Sequence, residues 1–433
     1  MDKKLFGTDG IRGVAGEAPL DSATVFAAGL CLGRYLTNKT PQPQVIIGED
    51  PRESSGWIAE TIAAGLQDAG TQTVHAGVLT TPGLAHLTLS DGFDAGVMIS
   101  ASHNPYTDNG IKVFAPTGYK LPDDAEKEVE NEILRLLANG PGITPRRLPM
   151  APDTALVRKY VEYLRGSAAS SWSLPGQKLV IDCANGAACG FAKEVFSGLG
   201  MGLKIISDQP DGKNINLHCG SLHLENLQRA VLDQNAAVGV AFDGDADRAL
   251  FVGASGRIVD GDGVLLAASR YMKRNHTLKG GAVVGTLMTN LGLEHALARE
   301  GLKLLRTPVG DKYVLDEMLR AGANLGGEQS GHIIFSDLAT TGDGLLTTLQ
   351  VLRIMAEERE PLERLLQGLE VFPQTIRNVR VREKLPLETL PLVMEQIRAS
   401  EKRLGETGRI VVRYSGTELL CRVMVEAQSA EEV

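Results

Sequence analysis

Three parts of the chain repeat one order of elements, and this repetition limits the folds that are open to it. An apolar strand runs into a turn and then a helix at 44–70, at 178–200 and again at 281–301. Strands that alternate with helices in this way are typical of α/β domains. With 433 residues, the chain is too long for a single hydrophobic core. We therefore predict an α/β protein with three similar units and mixed, mainly parallel sheets.

The segment from about 375 onward differs from these units, because β-type residues dominate it, as in "RIVVRYSGTELLCRVMVEA". We expect a small C-terminal α+β domain there. The closing residues "SAEEV" indicate the start of a helix, so we also expect this domain to be truncated. The predicted domains are 1–150, 151–253, 254–370 and 371–433.

Composition excludes several classes of function. The net charge of −9 argues against a nucleic-acid partner, which needs a basic face. No apolar run approaches the ~20 residues that span a bilayer, so we expect no membrane partner. The start "MDKKLFGTDG" lacks the apolar core of a signal peptide, and the five cysteines form no CxxC pair. These features predict reduced thiols and a cytoplasmic location.

A cluster of acidic residues follows one of the apolar strands, in "FDGDADRALF" at 242–251. Asp243, Asp245 and Asp247 would repel one another unless a cation neutralised them. Oxygen ligands favour magnesium, manganese or calcium. An EF-hand is excluded, because Arg248 and Ala254 stand where that loop needs Gly and Glu. The alternative is a solvated acidic turn.

The stretch "VMISASHNPYTDNGIKVF" at 97–114 takes an apolar strand directly into a Ser-His-Asn-Pro turn. No G-x-S-x-G motif surrounds Ser102, so a hydrolase triad is unsupported. Phosphoryl transfer depends mainly on positioning and charge neutralisation, which a metal with Lys112 and His103 nearby would supply. We expect the turn to expose Ser102. The alternative is an ordinary turn that satisfies its own backbone.

Two glycine-rich segments and the N-terminal loop are candidate ligand sites. In "GGEQSGHIIF" at 326–335, Glu328 and Ser330 suit sugar hydroxyls, whereas His332 alone is more often structural. In "VRYSGTELL" at 412–420, a guanidinium, two hydroxyls and free backbone amides suit a phosphate. The residues concerned there are Arg413, Ser415, Gly416 and Thr417. Arg12 lies in the loop "KLFGTDGIRG", and each of these segments could equally be an ordinary turn.

The order of these motifs is more specific than any one of them. "GTDGIRG", "ASHNPYTDNGIK", "DGDADR", "GEQSGH" and "RYSGTE" follow one another over essentially the whole chain. In this order they resemble the α-D-phosphohexomutase superfamily. The resemblance implies four domains around a central cleft, each contributing one loop, and a phosphosugar substrate. It leaves the oligomeric state open, and a homodimer is one expectation.

The resemblance also implies a role for each candidate residue. Ser102 would be the phosphoserine, and its oxygen would bind one Mg²⁺ together with Asp243, Asp245 and Asp247. The residues implied to flank the transferring group are His103, Lys112 and Arg248. The residues implied to bind the substrate are Arg12, Glu328, Ser330, His332, Arg413, Ser415, Gly416 and Thr417. Pro308 departs from the family pattern, because many relatives carry a basic residue there, and Lys312 is a candidate substitute.

Gln329 and the "NINLHCGS" segment are similar to the branch of the superfamily that acts on glucosamine phosphates. That branch implies interconversion of glucosamine 6-phosphate and glucosamine 1-phosphate through a 1,6-bisphosphate, which feeds UDP-N-acetylglucosamine and cell-wall precursor synthesis. The alternatives are a mutase for glucose or mannose phosphates, an aspartyl-phosphate phosphatase, and a sugar-phosphate sensor without turnover. The last two would leave Ser102 without a role.

Overall fold

The computed structural model describes residues 5–7, 9–138, 143–168, 172–415 and 419–433. In this part of the chain, four sheets follow one another along the sequence. Helices pack against each of them, and the last sheet is small and antiparallel. The predicted architecture of three α/β units and a small C-terminal α+β domain is confirmed. The exact domain boundaries stay predictions.

The first domain is built on a six-stranded sheet. Its strands are β1 Phe6–Gly7, β2 Gly10–Val14, β3 Gln44–Glu49, β4 Gln72–Val78, β5 Ala95–Ile99 and β6 Asp108–Phe114. Its helices are α1 Ser22–Thr37, α2 Ser55–Asp68, α3 Thr81–Ser90 and α4 Asp123–Ala138. The order is β1-β2-β6-β5-β3-β4, so β5 lies inside the sheet. Val45 and Ile46 are both fully buried, because apolar clusters cover both faces of β3.

The second domain has a five-stranded sheet in the order β11-β10-β9-β7-β8. Its strands are β7 Lys178–Asp182, β8 Gly202–Ile206, β9 Val238–Phe242, β10 Ala249–Gly253 and β11 Ile258–Val259. Its helices are α5 Thr154–Ser167, α6 Ala192–Phe196 and α7 Glu225–Gln234. The strands β9 and β10 form an antiparallel hairpin whose first pair is Phe242 with Ala249. The acidic loop 243–248 therefore closes this hairpin.

The third domain has a four-stranded sheet in the order β13-β12-β14-β15. Its strands are β12 Ala282–Thr286, β13 Lys303–Thr307, β14 Leu325–Gly327 and β15 Ile333–Phe335. Its helices are α8 Gly261–Arg274, α9 Leu291–Arg299, α10 Asp311–Ala321, α11 Gly344–Glu358 and α12 Leu362–Leu365. The antiparallel hairpin of β14 and β15 carries the loop 328–332 at its tip.

The sheets of these three domains are mixed, as predicted, but antiparallel pairs form a larger part of them than the sequence indicated. In each domain the chain leaves a parallel strand and returns beside it as a hairpin. The strand pairs concerned are β5 with β6, β9 with β10 and β14 with β15. Each of these hairpins carries one of the candidate loops at its tip, so the same strand–loop–strand arrangement occurs once in each of the three domains.

The C-terminal domain is a three-stranded antiparallel sheet in the order β16-β18-β17, with one long helix. Its elements are β16 Gln374–Arg380, α13 Pro391–Leu404, β17 Gly408–Tyr414 and β18 Leu420–Ala427. Glu426 is fully buried and accepts a hydrogen bond from the Leu291 backbone N–H at 2.9 Å, and it also pairs with Arg409. These contacts attach the domain to the N-terminal end of α9 in the third domain.

One hydrophobic cluster runs through the first three domains, which are called the three-domain block below. It contains Ile46 of the first domain, Phe242 of the second and Val283 of the third. Among the described residues, none of the hydrophobic clusters extends into the C-terminal sheet. No helix in the described part of the chain combines the length and the apolar character that a membrane crossing requires.

Candidate active site

Ser102 lies in the turn between β5 and β6 and is buried, with only 1% of its surface exposed. The expectation of an exposed serine is therefore wrong. The reason is that the acidic loop of the second domain covers the turn, and Ser102 Oγ donates a hydrogen bond to Asp243 Oδ2 at 2.5 Å. Ser102 has a φ of +53°, in the left-handed region that few non-glycine residues occupy.

The three aspartates of the acidic loop converge, as a metal site requires. Asp243, Asp245 and Asp247 are buried, and one carboxylate oxygen from each lies within 4.8 Å of the others. The Oδ1 atoms of Asp245 and Asp247 are buried without a hydrogen-bond partner among the described residues. Buried acceptors are normally satisfied, so two such carboxylate oxygens in one cluster suit a cation ligand. The arrangement can hold a metal ion.

The charges of this cluster are unevenly balanced. Burial, together with Asp247 and Asp245, raises the pKa of Asp243 well above its ordinary value. Burial also acts against ionisation of Asp247, but Lys112, His332 and Arg248 outweigh it and lower the pKa of this carboxyl. The cluster therefore holds one carboxyl whose charged form is disfavoured by its surroundings and one whose charged form is favoured.

Lys112 is the central cation of the site. It is 1% exposed, and its Nζ lies 2.8 Å from Asp245, 3.3 Å from Asp9 and 3.7 Å from Asp247. Burial alone would lower its pKa, but these three carboxylates raise it above the ordinary lysine value. Lys112 therefore remains charged and links the first domain to the acidic loop of the second.

An ion-pair chain that the sequence did not predict continues from Lys112 to the third domain. Asp9 pairs with Arg12 and lies 2.6 Å from Lys120 Nζ, which is also 2.6 Å from Asp311. Asp9 lies in the "GTDGIRG" motif, in which the sequence indicated only Arg12 as a candidate site residue. Lys120 and Asp311 belong to no motif, and their pairing depends on the domain arrangement, so sequence spacing gave no signal for them.

His103 contacts Ser102, and Arg248 contacts Asp243. His103 Nδ1 is 3.3 Å from Ser102 Oγ. Burial, with Arg248 and Arg12 nearby, lowers the pKa of His103 to about 4, so its ring is neutral at neutral pH. The backbone N–H of Arg248 donates to Asp243 Oδ1 at 3.2 Å, and its Nε is buried without a hydrogen-bond partner among the described residues.

The loop of the third domain brings two of its candidate residues toward the site. Glu328 Oε1 accepts a hydrogen bond from the Gly310 N–H at 3.0 Å, and Ser330 Oγ is buried without a hydrogen-bond partner in the described part of the chain. Lys312 Nζ lies 2.6 Å from Asp123 Oδ1. Its role as a substitute for the basic residue that many relatives carry at position 308 stays a prediction.

His332 faces the acidic loop rather than open space. Its Nδ1 is 3.7 Å from Asp247 Oδ2, and its Nε2 accepts a hydrogen bond from the Gly342 N–H at 3.1 Å. Burial lowers its pKa, but Asp247, Asp311 and Glu328 raise it more, to about 9. The Gly342 bond nevertheless requires an unprotonated Nε2, and this geometry favours a neutral ring with its proton on Nδ1.

The candidate phosphate site of the C-terminal domain stands apart from these contacts. Arg413 lies opposite Arg422 in the sheet and lines a cavity of about 420 Å³ with Met288 and Asn378. No residue of the serine turn or the acidic loop lines this cavity. Ser415 is buried, with its N–H donating to the Leu420 carbonyl at 2.8 Å. Gly416 and Thr417 lie outside the described residues.

Sequence models of all four domains of the phosphoglucomutase/phosphomannomutase family match this chain. The matched ranges are 3–139 for α/β/α domain I, 158–256 for domain II, 260–372 for domain III and 377–433 for the C-terminal domain. The chain belongs to this family, the phosphohexomutases, which are isomerases. The predicted family membership is confirmed.

Within the family, the chain is similar to bacterial phosphoglucosamine mutases. It is 53% identical to that of Solibacter usitatus, over 100% of this chain and 96% of the relative. The identity to that of Koribacter versatilis is 52%, over 99% and 94%.

Solved structures show the same fold. A phosphoglucomutase/phosphomannomutase family protein from Burkholderia thailandensis has a TM-score of 0.81 at 25% identity, covering 100% of this chain and 94% of that one. The N-acetylphosphoglucosamine mutase of Aspergillus fumigatus, solved with GlcNAc-6P and magnesium, has a TM-score of 0.68 at 20% identity, covering 100% and 93%.

Proposed function

We propose that this chain interconverts glucosamine 6-phosphate and glucosamine 1-phosphate through a phosphorylated Ser102. The observation that carries the proposal is the position of Ser102 Oγ, which lies 2.5 Å from Oδ2 of Asp243, one of three converging carboxylates. The identity of 53% and 52% to phosphoglucosamine mutases over nearly their whole length supports glucosamine phosphate as the sugar.

Asp243, Asp245 and Asp247 would hold Mg²⁺ together with an oxygen of phosphoserine 102. Oxygen donors with several negative charges suit this hard dication, and the buried Oδ1 atoms of Asp245 and Asp247 accept no hydrogen bond from the described residues. When bound, the ion neutralises negative charge on the phosphoryl group during transfer.

The first transfer breaks the bond between phosphorus and Ser102 Oγ and forms one to the oxygen on carbon 1 of glucosamine 6-phosphate. Lys112 and Arg248, whose pKa values are raised, would stabilise charge on the phosphoryl oxygens. The proton that leaves the carbon-1 hydroxyl balances the one that Ser102 Oγ takes up. The neutral His103, 3.3 Å from Oγ, can hold a proton at this position.

The product of this step is glucosamine 1,6-bisphosphate, which would turn end for end so that Ser102 recovers a phosphoryl group from carbon 6. The sugar hydroxyls would contact the loop of the third domain, and the phosphate that does not react would need a holder that serves both orientations. The residues proposed for these contacts are Arg12, Glu328, Ser330, His332, Arg413, Ser415, Gly416 and Thr417.

The second candidate function is the same reaction on glucose or mannose phosphates, which share the phosphate and most hydroxyls. A pocket that pairs with a charged amine leaves polar groups unpaired when a hydroxyl replaces it, at a cost of about 1–3 kcal/mol per buried group. We expect kcat/KM for glucosamine phosphate to exceed that for the other sugars by roughly ten- to a hundredfold. Equal values in a side-by-side assay would favour the broader mutase.

Replacement Ser102→Ala tests the phosphoserine directly. The variant loses one hydroxyl and should stay folded, while its mutase activity falls by at least roughly 10³-fold, because the transfer passes through this oxygen. The control is Ser90→Ala, which removes an exposed hydroxyl of the same domain. Intact mass should show one phosphoryl group on the wild type and on Ser90→Ala but none on Ser102→Ala. Wild-type turnover by folded Ser102→Ala would exclude the mechanism.

A further inference from the structure

We propose that Arg52 and Asn216 are positioning residues that hold the Ser102 carbonyl and thereby aim its Oγ at the acidic loop; this inference rests on the proposed role of Ser102. The two donors come from different domains and meet on one oxygen. Arg52 Nη2 donates to the Ser102 carbonyl at 2.8 Å, and Asn216 Nδ2 donates to the same oxygen at 3.0 Å.

Arg52 donates hydrogen bonds along the whole serine turn. Its Nη1 donates to the carbonyls of Pro105 at 2.5 Å and Asp108 at 3.2 Å, so one guanidinium bonds three carbonyls of this turn. Its Nε lies 2.9 Å from Asp50 Oδ2 in a pair whose side chains are 0% exposed. A buried charge needs a fixed partner. Asp50 therefore fixes the guanidinium, and the guanidinium fixes the turn.

Asp50 also supports the turn through a second contact. It accepts a hydrogen bond from Ser100 Oγ at 2.6 Å, and Ser100 Oγ in turn accepts one from the Ser102 N–H at 2.9 Å. Both backbone polar groups of Ser102 are thus bonded to buried side chains. This explains how a serine is held at a φ of +53°.

Asn216 supplies the contact from the second domain. It lies in the "NINLHCGS" segment, is 8% exposed, and donates a further hydrogen bond to the Asn104 carbonyl at 3.1 Å. Gly244 of the acidic loop adjoins both groups, because a Cβ there would come 2.5 Å from the Ser102 carbonyl oxygen and 3.0 Å from Asn216 Nδ2. The segment that resembles the glucosamine branch therefore contacts the reacting serine.

A rigid position for Ser102 matters because phosphoryl transfer depends on alignment, and a misplacement of about 1 Å can lower a rate by roughly 10²-fold. The two side chains that hold the Ser102 carbonyl, Arg52 and Asn216, are called the clamp below. If the clamp only aims Oγ, its loss should lower kcat and leave substrate affinity nearly unchanged. A residue needed only for folding would instead lower thermal stability throughout the block.

The test compares Asn216→Gly with the control His218→Gly. Both residues have left-handed φ values, +59° and +54°, so glycine strains neither backbone, but the His218 side chain is exposed and away from Ser102. For Asn216→Gly we expect kcat to fall by roughly ten- to a hundredfold with KM within about twofold of wild type. For His218→Gly we expect wild-type values.

Two further variants make the test sharper. Asn216→Asp keeps the shape but sets a carboxylate oxygen against two carbonyls, so it should lower kcat at least as much as Asn216→Gly. Arg52→Lys keeps the charge beside Asp50 but loses the guanidinium fork, and it should act in the same direction.

Hydrogen exchange gives a readout that needs no activity. Amides of the peptide 97–108 should exchange faster in Asn216→Gly than in wild type or His218→Gly. A kcat within about twofold of the His218→Gly value, or unchanged exchange in this peptide, would overturn the inference. The inference would also be overturned if the fall in kcat came with a fall in melting temperature large enough to unfold Asn216→Gly at the assay temperature. If the wild type carried no phosphoserine and did not turn over, the proposed function would fail, while the exchange comparison would still decide on the clamp.

Discussion

The three-domain block and the C-terminal domain hold their candidate functional residues in opposite ways. Inside the block, Ser102, Lys112 and Asp245 are buried and held by hydrogen bonds or ion pairs that cross domain boundaries. In the C-terminal domain, Arg413 lines a cavity to which, among the described residues, the block contributes Met288 alone. The proposed chemical centre thus lies within a continuous core, whereas the proposed phosphate holder lies on a separate domain.

This difference fits the two tasks that the proposed reaction sets. Phosphoryl transfer gains from groups that are fixed before the substrate arrives, because no reorganisation is then needed in the transition state. A bisphosphate that must turn around needs a holder that can release it. We expect the C-terminal domain to meet this need, because its described hydrogen bonds to the third domain come from a few side chains, among them Glu426 and Arg409.

The largest effect should come from breaking the centre of the block with Asp243→Asn. Asn keeps the shape of the Asp243 side chain, and burial with the neighbouring carboxylates raises the pKa of Asp243, so its charge is disfavoured in the metal-free protein. The metal-free variant should therefore melt within a few degrees of wild type. Mg²⁺ should no longer raise its melting temperature, and activity should fall by roughly 10²–10³-fold.

Calorimetry with and without Mg²⁺ measures this effect, and Asp233→Asn, an exposed carboxylate of the same domain, is the control. EDTA should abolish wild-type activity and excess magnesium should restore it. A magnesium-dependent rise in melting temperature that Asp243→Asn retained would remove this residue from the metal site.

A smaller effect should come from Arg413→Ala. A charge-assisted hydrogen bond is worth about 1.5–3 kcal/mol, so KM for the phosphosugar should rise by roughly ten- to a hundredfold. The cavity that Arg413 lines contains no residue of the serine turn or the acidic loop. The rise in melting temperature with Mg²⁺ and the phosphoserine content should therefore not change. Steady-state kinetics and intact mass check this prediction.

The matched control for Arg413→Ala is Arg377→Ala, an exposed arginine in β16 of the same sheet, which should leave KM unchanged. If Arg413→Ala instead lowered magnesium binding, the separation between the two regions would be wrong.

The sequence predicted the fold and the convergence of the three aspartates, because both depend on residues that are close along the chain. The strand–turn–helix repeats gave the α/β units, and Asp243, Asp245 and Asp247 lie on one hairpin tip, where their carboxylates must converge. Apolar strands on both sides of that tip indicated that the carboxylates are buried, and buried charges need a partner such as a cation.

Features that depend on the packing of one domain on another were not predictable. Asp311 pairs with Lys120 and Asn216 bonds to the serine turn only because the domains meet there. The burial of Ser102 has the same origin, since its turn is polar and contains Pro105, which in isolation indicates an exposed loop. The antiparallel share of the sheets was underestimated from sequence because the apolar patterns of β6, β10 and β15 are like those of the parallel strands.

The smallest effect is a pH-dependent one, and it should sharpen the comparison by acting on the block alone. Glu49 of β3 is 15% exposed in its side chain, and its Oε2 is buried without a hydrogen-bond partner among the described residues. Burial, with Asp50 and Glu60 nearby, raises the pKa of Glu49 from 4.5 to about 7. The charged form is therefore disfavoured in the folded protein.

The sign of the effect follows from these two pKa values. Below pH 4.5 the carboxyl is protonated in both states, but between pH 4.5 and 7 the unfolded chain ionises first, so stability falls as the pH rises, by up to roughly 3 kcal/mol. Glu49→Gln should remove this loss, which makes the variant more stable than wild type at pH 8 and equal to it near pH 4.5. Urea unfolding across this range measures the difference, and Glu128→Gln, an exposed carboxylate on α4, should follow the wild-type curve. A Glu49→Gln curve parallel to wild type would show that this carboxyl is ionised in the folded block at neutral pH.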